Sequence, residues 1–282
     1  MPTFHMRYPG GHAKAVTFSY DDGVVHDKRL IELFDRYGLK ATFNINTALF
    51  AKDEAVYVPE QIYRRMTFEQ AQNVYITEKH EVAVHTLHHP FLEQLPGNMA
   101  VYEIIEDRRR IEEAFRVVCR GMAYPYGTTS SSVVEIAKNC GLLYARTTES
   151  SNSLEFPNDW LRLKPSCHHS SEYLNELAEK IVNEKCVQAP WLLYIWGHSY
   201  EFERDNNWEL IETLAEKIAG RSDIWYASNV EVFEYARSFR ELQFSVRGDR
   251  VFNPTAYEMF FEDSRSGKIY SVKSGTLTTI KW

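Results

Sequence analysis

Short apolar runs rich in β-branched and aromatic residues alternate with longer stretches of helical period through most of the chain. Ala15-Val16-Thr17-Phe18-Ser19-Tyr20 reads as a buried strand, and residues 27–37 carry an amphipathic helical pattern stopped by Gly38. Ala41-Thr42-Phe43-Asn44-Ile45 predicts the next strand. Glu81-Val82-Ala83-Val84-His85 predicts a third, after a helix that begins near Thr67. A long charged helix over 99–118 follows, with Glu106/Arg110 and Glu112/Arg116 spaced for a solvated face. Further strands are expected at 121–124, 142–145, 191–196 and 224–226, with helices at 131–139, 173–184, 208–219 and 230–239. Such alternation implies parallel strands with crossover helices, in a barrel or a doubly wound sheet. No G-x-G-x-x-G follows the first of these strands, which disfavours a dinucleotide fold. From about Leu242 the period switches to short alternating stretches divided by Gly248-Asp249, Ser266-Gly267 and Ser274-Gly275, the pattern of β-hairpins. The expected division is therefore a barrel over 1–240 and a small β-rich appendage packed on it over 241–282.

Composition adds exclusions. With 282 residues, 44% hydrophobic and 25% charged, the chain has the make-up of an ordinary globular protein rather than a disordered or fibrous one. No apolar run is long enough to span a bilayer. The opening Met1-Pro2-Thr3-Phe4-His5 has neither a basic nor an apolar signal region, so a cytoplasmic location is expected for the sequence as it stands. A net charge of −7 argues against a nucleic-acid partner. Cys119, Cys140, Cys167 and Cys186 lie far apart, with no C-x-x-C pair, and read as separate thiols.

The chemistry gathers at strand ends, where a parallel barrel places it. Ser19-Tyr20-Asp21-Asp22-Gly23 closes the first strand, and two adjacent carboxylates repel one another unless a cation or a shared proton lies between them. The plainer reading is an Asp N-cap with a solvated neighbour. His85-Thr86-Leu87-His88-His89-Pro90 closes the third strand, and His85 and His89 can converge on one metal together with a carboxylate. Against that stands a polar loop with chance histidines, since the zincin form of H-x-x-x-H lies on a helix with a Glu that is absent here. Tyr124-Pro125-Tyr126-Gly127 is a turn that can aim a backbone N–H at an oxyanion, and Gly197-His198 places a lone imidazole after the strand at 191–196.

These pieces in this order resemble the NodB-homology polysaccharide deacetylases, carbohydrate esterase family 4, over roughly residues 15–235. The resemblance implies a distorted (β/α) barrel of that type. It implies Asp21 as catalytic base, and Asp22, His85 and His89 as ligands of one divalent metal, zinc first among the candidates. The Tyr126 backbone N–H is implied as oxyanion donor and His198 as catalytic acid, with Tyr124 and Trp160 (in Asp159-Trp160) lining the substrate pocket. One departure stands out: the family's third motif opens with an Arg that orients the base, and this chain has Ala123. Arg146, at the end of the strand at 142–145, is the candidate replacement, with Arg162 second.

The function expected is removal of N-acetyl groups from an N-acetylated sugar or polysaccharide. A non-sugar linear or cyclic amide is the alternative substrate, and a carbohydrate-binding protein without activity is a different class. Retention of Asp21, the whole ligand set and His198 speaks against mere binding. A non-haem iron oxygenase also uses two His and one carboxylate, but its H-x-[DE] spacing is absent. Cys167-His168-His169 has no complementary Cys/His pair near it in sequence and reads as a cleft-lining loop. His88 is expected to face solvent, and Tyr200-Glu201-Phe202-Glu203 to supply a substrate-facing carboxylate or the capped entrance to the helix around Trp208.

Overall fold

The computed structural model of the protein describes residues 3–53, 55–58, 60–76 and 79–281. In chain order the strands and helices are β1 (Phe4–Arg7), β2 (Lys14–Asp21), α1 (Asp27–Tyr37), β3 (Ala41–Ile45), α2 (Phe68–Tyr75), β4 (Glu81–Val84), α3 (Gly97–Phe115) and β5 (Gly121–Ala123). Then come α4 (Ser131–Asn139), β6 (Tyr144–Arg146), β7 (Cys167–His168), α5 (Leu174–Asn183), β8 (Trp191–Gly197), α6 (Ser199–Arg204), α7 (Trp208–Ile218), β9 (Ile224–Tyr226) and α8 (Asn229–Arg240). Five short strands complete the chain: β10 (Gln243–Phe244), β11 (Arg250–Phe252), β12 (Met259–Asp263), β13 (Ile269–Val272) and β14 (Leu277–Thr279).

The main sheet is parallel and curled into a distorted, incomplete barrel in the order β6-β5-β4-β3-β2-β8-β7. β2 lies at its centre and is buried at every position, as a strand covered on both faces must be. One edge of β2 is shared: β9 pairs along Lys14–Val16, and β3 takes over along Phe18–Asp21. Next to β6, Arg146 bridges to Leu163 in the segment that leads into β7. Helices cover the outside of the sheet, and their apolar faces supply Leu30, Phe34, Ile104, Ile111, Ile181 and Ile211 to the larger core.

Local signals account for the boundaries. α1 stops at Gly38 in the left-handed conformation, φ 67°, which glycine adopts without a Cβ penalty. α2 starts with a reciprocal capping box between Thr67 and Gln70. α3 keeps the expected Glu106–Arg110 pair at 3.0 Å, but Glu112 pairs with Arg108 at 2.8 Å instead of with Arg116. The helix ends at Phe115 and Arg116 turns out of it, at φ 59°.

The C-terminal strands make two three-stranded antiparallel sheets, β1-β12-β13 and β10-β11-β14. β1 thus joins strands from the far end of the chain, with Phe4–Arg7 registered against Asp263–Phe260. A second core, including Tyr8, Tyr194, Tyr235, Met259 and Phe261, seats these sheets on α8 and on the lower ends of β2 and β8. Among the described residues no helix is long and apolar enough to cross a membrane.

Candidate metal centre and active site

Every group at the site arrives on the C-terminal end of a strand of the main sheet or on the loop just after it. β2 delivers Asp21 and Asp22, β4 delivers His85 and its loop His89, β5 leads to Tyr126, β6 ends on Arg146, and β8 leads to His198. The backbone is bent hard to present them. Of the seven non-glycine residues with positive φ among the described residues, four lie here: Asp22 (90°), Thr86 (65°), His89 (58°) and Tyr126 (59°). Such conformations cost on the order of 1–3 kcal/mol each and persist where surrounding bonds fix them. Those bonds are present. Asn46 donates to the carbonyls of His85 (2.5 Å) and Thr86 (2.9 Å), and the Thr86 hydroxyl accepts the His89 N–H at 3.1 Å. The His85 N–H donates at 3.1 Å to Asp107 of α3, which also takes the N–H and hydroxyl of Thr47.

Asp22, His85 and His89 each bring one ligand atom to a group whose members lie within 4.8 Å of one another. The two imidazole Nε2 atoms are 3.1 Å apart. The Ala123 carbonyl lies 2.8 Å from His85 Nδ1, and since a carbonyl can only accept, it fixes the proton there and leaves a lone pair on Nε2. Burial pushes His85 down to about 4 and also lowers His89, so both rings are neutral at pH 7. Two neutral imidazoles and a carboxylate with oriented partners form a donor set that fits a zinc-class divalent ion. Arg65, from the irregular stretch before α2, reaches the Asp22 carbonyl and its Oδ1 (3.2 Å) while donating to Asn46 at 2.8 Å.

Asp21 stands beside this group, 2% exposed, with Oδ2 4.0 Å from His85 Nε2. Asn44, its register partner on β3, donates to Oδ1 at 2.8 Å, and Arg146 Nη2 donates to Oδ2. Burial alone would raise the Asp21 pKa, but the Arg146 charge, with His85 and His198, outweighs it and holds the carboxyl below its ordinary range. Arg146 is itself fully buried, its guanidinium 4.6 Å from the Trp196 ring centroid. It is the register partner of Ala123, so it reaches Asp21 from the strand next to the one where the family's Arg is expected. Arg162 lies elsewhere, paired with Asp159 at 3.4 Å.

His198 is about one-quarter exposed, and its Nδ1 lies 3.4 Å from Glu201 Oε2. Burial pulls its pKa down, yet Glu201, Asp21 and Asp22 outweigh burial and raise it above the usual histidine value. The Tyr126 ring packs edge-on to His89 (4.6 Å) and stacks on Phe91 (3.8 Å). A second aromatic pair, Tyr63 and Tyr200, sits against Arg65 and His198. Tyr124 is buried and donates its hydroxyl to the Leu161 carbonyl at 2.9 Å. Trp160 packs edge-to-face on Phe156 and Phe233, so neither ring joins the ligand group. His88 points outward, paired with Glu103 at 2.8 Å. A cavity of about 710 Å³ opens at the opposite end of β4, around His80, Glu81 and Val118, away from these groups.

Arg65, Asp107 and Glu201 are the contributors that sequence reasoning did not assign to the site in these roles. Arg65 carries no motif, Asp107 looks like one more charge on a charged helix, and only the i, i+3 spacing of Glu201 from His198 offered a signal.

Residues 8–145 match the family model described as polysaccharide deacetylase. A chitooligosaccharide deacetylase of Sinorhizobium fredii is 28% identical over 160 residues, which cover 54% of this chain and 63% of that protein, so the chain spans less than two thirds of that relative. In fold, the chain is similar to a Mycobacterium smegmatis structure assigned to the polysaccharide deacetylases (TM-score 0.60, 14% identity, 85% and 96% of the two chains covered). It is also similar to a family 4 carbohydrate esterase of Streptomyces lividans (TM-score 0.50, 16% identity, 76% and 91% covered). The matched segment holds both adjacent carboxylates and both converging imidazoles, so the polysaccharide deacetylase model spans every residue of that ligand group.

Proposed function

We propose that this protein is a metal-dependent hydrolase that removes N-acetyl groups from N-acetylated sugars, with short N-acetylglucosamine oligomers as the first substrates to test. The observation that carries the reading is the pairing of a two-imidazole, one-carboxylate group with a second carboxylate, Asp21, that is kept ionised by Arg146. Similarity to a chitooligosaccharide deacetylase supports the choice of substrate.

Asp22, His85 and His89 are the residues that would hold a divalent ion, zinc being the best match to that donor set. When bound, such an ion supplies Lewis acidity and makes water acidic enough to ionise near neutral pH. Asp21 takes the proton of the attacking water, with Asn44 and Arg146 fixing the direction of its lone pairs. The Tyr126 backbone N–H serves the oxyanion, a contribution of about 3 kcal/mol for one such donor. His198, held cationic by its neighbouring carboxylates, gives its proton to the departing amine. The two aromatic pairs beside these groups offer flat faces to sugar rings.

The test is acetate release from N-acetylglucosamine oligomers and from a panel of small linear and cyclic amides, with metal content measured in parallel. Asp21→Asn is expected to lower turnover by two to four orders of magnitude, about the range of general-base catalysis, with metal content retained. Normal hydrolysis by that variant overturns the assignment of the base. Hydrolysis confined to the amide panel overturns the sugar substrate.

A further inference from the structure

The ligand group is split between two turns, one just past β2 that carries Asp22 and one past β4 that carries His85 and His89. β2 and β4 are not neighbours in the sheet, because β3 lies between them. Both turns hold residues at positive φ, Asp22 in the first and Thr86 and His89 in the second. Converging donors keep their geometry only when partners outside the ligand set fix each turn and fix the turns to one another.

Asn46, one residue past β3 and 1% exposed, stands between them. Its amide is used completely. Nδ2 donates to the carbonyls of His85 (2.5 Å) and Thr86 (2.9 Å), and Oδ1 accepts from Arg65 Nη1 at 2.8 Å. The same Nη1 donates to the Asp22 carbonyl, and Nη2 donates to Asp22 Oδ1 at 3.2 Å. One planar guanidinium therefore grips both the main chain and the carboxylate of Asp22, and through a single amide it reaches the main chain of His85 and Thr86. A carboxylate has about four lone-pair directions, so Asp22 keeps others for an ion.

Arg65 is held for this task by its own backbone. Residues 64–66 run antiparallel to 23–25, with a bridge between Val24 and Arg65. The Val25 N–H donates to the Arg64 carbonyl at 3.0 Å and the Met66 N–H to the Gly23 carbonyl at 3.1 Å. The Tyr63 ring lies 5.3 Å from the guanidinium carbon, and the Arg65 side chain is 13% exposed.

We propose that Arg65 and Asn46 are positioning residues that clamp the Asp22 turn to the His85–His89 turn and so set metal affinity, a role that rests on reading Asp22, His85 and His89 as the ligands of one divalent ion. Two effects of Arg65 oppose each other. Its positive charge repels a divalent cation, whereas its fork orients the donors that receive one. Loss of the charge alone tightens binding, and loss of the clamp weakens it, because the strained turns lose a bond that fixes them. The sign of the change separates the two.

The experiment strips the full chain with a chelator and measures Zn²⁺ affinity by dye competition, with circular dichroism confirming that each variant is folded. Arg65→Met is expected to weaken binding by about 10–100-fold, the range for losing a partner that orients a ligand. Arg65→Lys keeps the charge without the fork and is expected to bind no more tightly than Arg65→Met. Asn46→Ala should weaken binding by a similar factor, and Asn46→Ala/Arg65→Met by little more than either change alone, as for two side chains acting as one unit. Equal or tighter binding by Arg65→Met overturns the clamp, as does wild-type affinity in Arg65→Lys. Two factors that multiply in the double variant overturn the coupling between the turns. Should Asn46→Ala fail to fold, the two Arg65 variants still decide by sign. A wild type that takes up no metal overturns the centre and the clamp together. Uptake that His85→Ala/His89→Ala abolishes and Arg65→Met leaves unchanged removes the clamp alone.

Discussion

Asp21 and Arg146 form an ion pair in which each side chain is at most 3% exposed. Two opposite charges this far from water hold each other in place, and removing one strands the other. Arg146→Met is therefore expected to destabilise the fold by roughly 3–5 kcal/mol at neutral pH. The sign of its pH dependence is diagnostic. In the wild type the Asp21 pKa is lowered, so its contribution to stability is present above the unfolded value and lost as pH falls through the folded one. Without Arg146, burial dominates and raises that pKa, so the variant gains stability as pH falls. Thermal melts of wild type, Arg146→Met and Asp21→Asn/Arg146→Met across pH check this; equal slopes in the first two would show that the pair does not set the charge of Asp21. At this scale the scarce residue types were legible in the sequence, because adjacent Asp residues and clustered His residues at the ends of visible apolar runs are hard to explain otherwise. Arg65 was not legible, because its partner is the Asp22 main chain, which no side-chain pattern announces.

Between residue and molecule, the elements followed their periodicity closely. The helix expected over 27–37 and the strand over 41–45 have those bounds, since each is bracketed by glycine or by a change of period. β7 and α6 escaped notice: two residues of strand and six of helix are too short for a period to show. Yet this junction carries Glu201, and it depends on Gly197. Gly197→Ala is expected to cost roughly 1–3 kcal/mol through a clash with His169, visible as a lower melting temperature; an unchanged one would mean that the imidazole swings aside freely. Glu81, at the start of β4, ties that strand to Tyr144, Thr42 and the N-terminus of α8. Burial raises its pKa to about 7. Because that value exceeds the unfolded one, the contribution of Glu81 to stability is greatest below about pH 4.5 and declines as pH rises toward 7. Relative to Glu81→Gln, the wild type should lose melting temperature across that window, and a constant difference would contradict the burial argument.

On the scale of the whole molecule, the barrel was legible from alternation alone, whereas the place of β1 was not, because antiparallel partners distant in sequence leave no local trace. Arg7 of β1 is 1% exposed and pairs with Glu262 of β12 at 2.9 Å, a contact closed over 255 residues of chain. Glu262→Ala should destabilise the protein, though by less than the roughly 3–5 kcal/mol of a fully buried pair, since Glu262 keeps 19% exposure. Denaturant unfolding measures this, and a change within ±0.5 kcal/mol would class the pair as an ordinary surface contact. The same pairing sets a timetable for synthesis. At the roughly 5–20 residues per second of translation, β1 leaves the ribosome well over ten seconds before β12 exists to receive it. During that interval its backbone groups have no sheet to join, while the strands of the barrel can assemble in order behind it. The nascent chain therefore carries β1 undocked until β12 has been made.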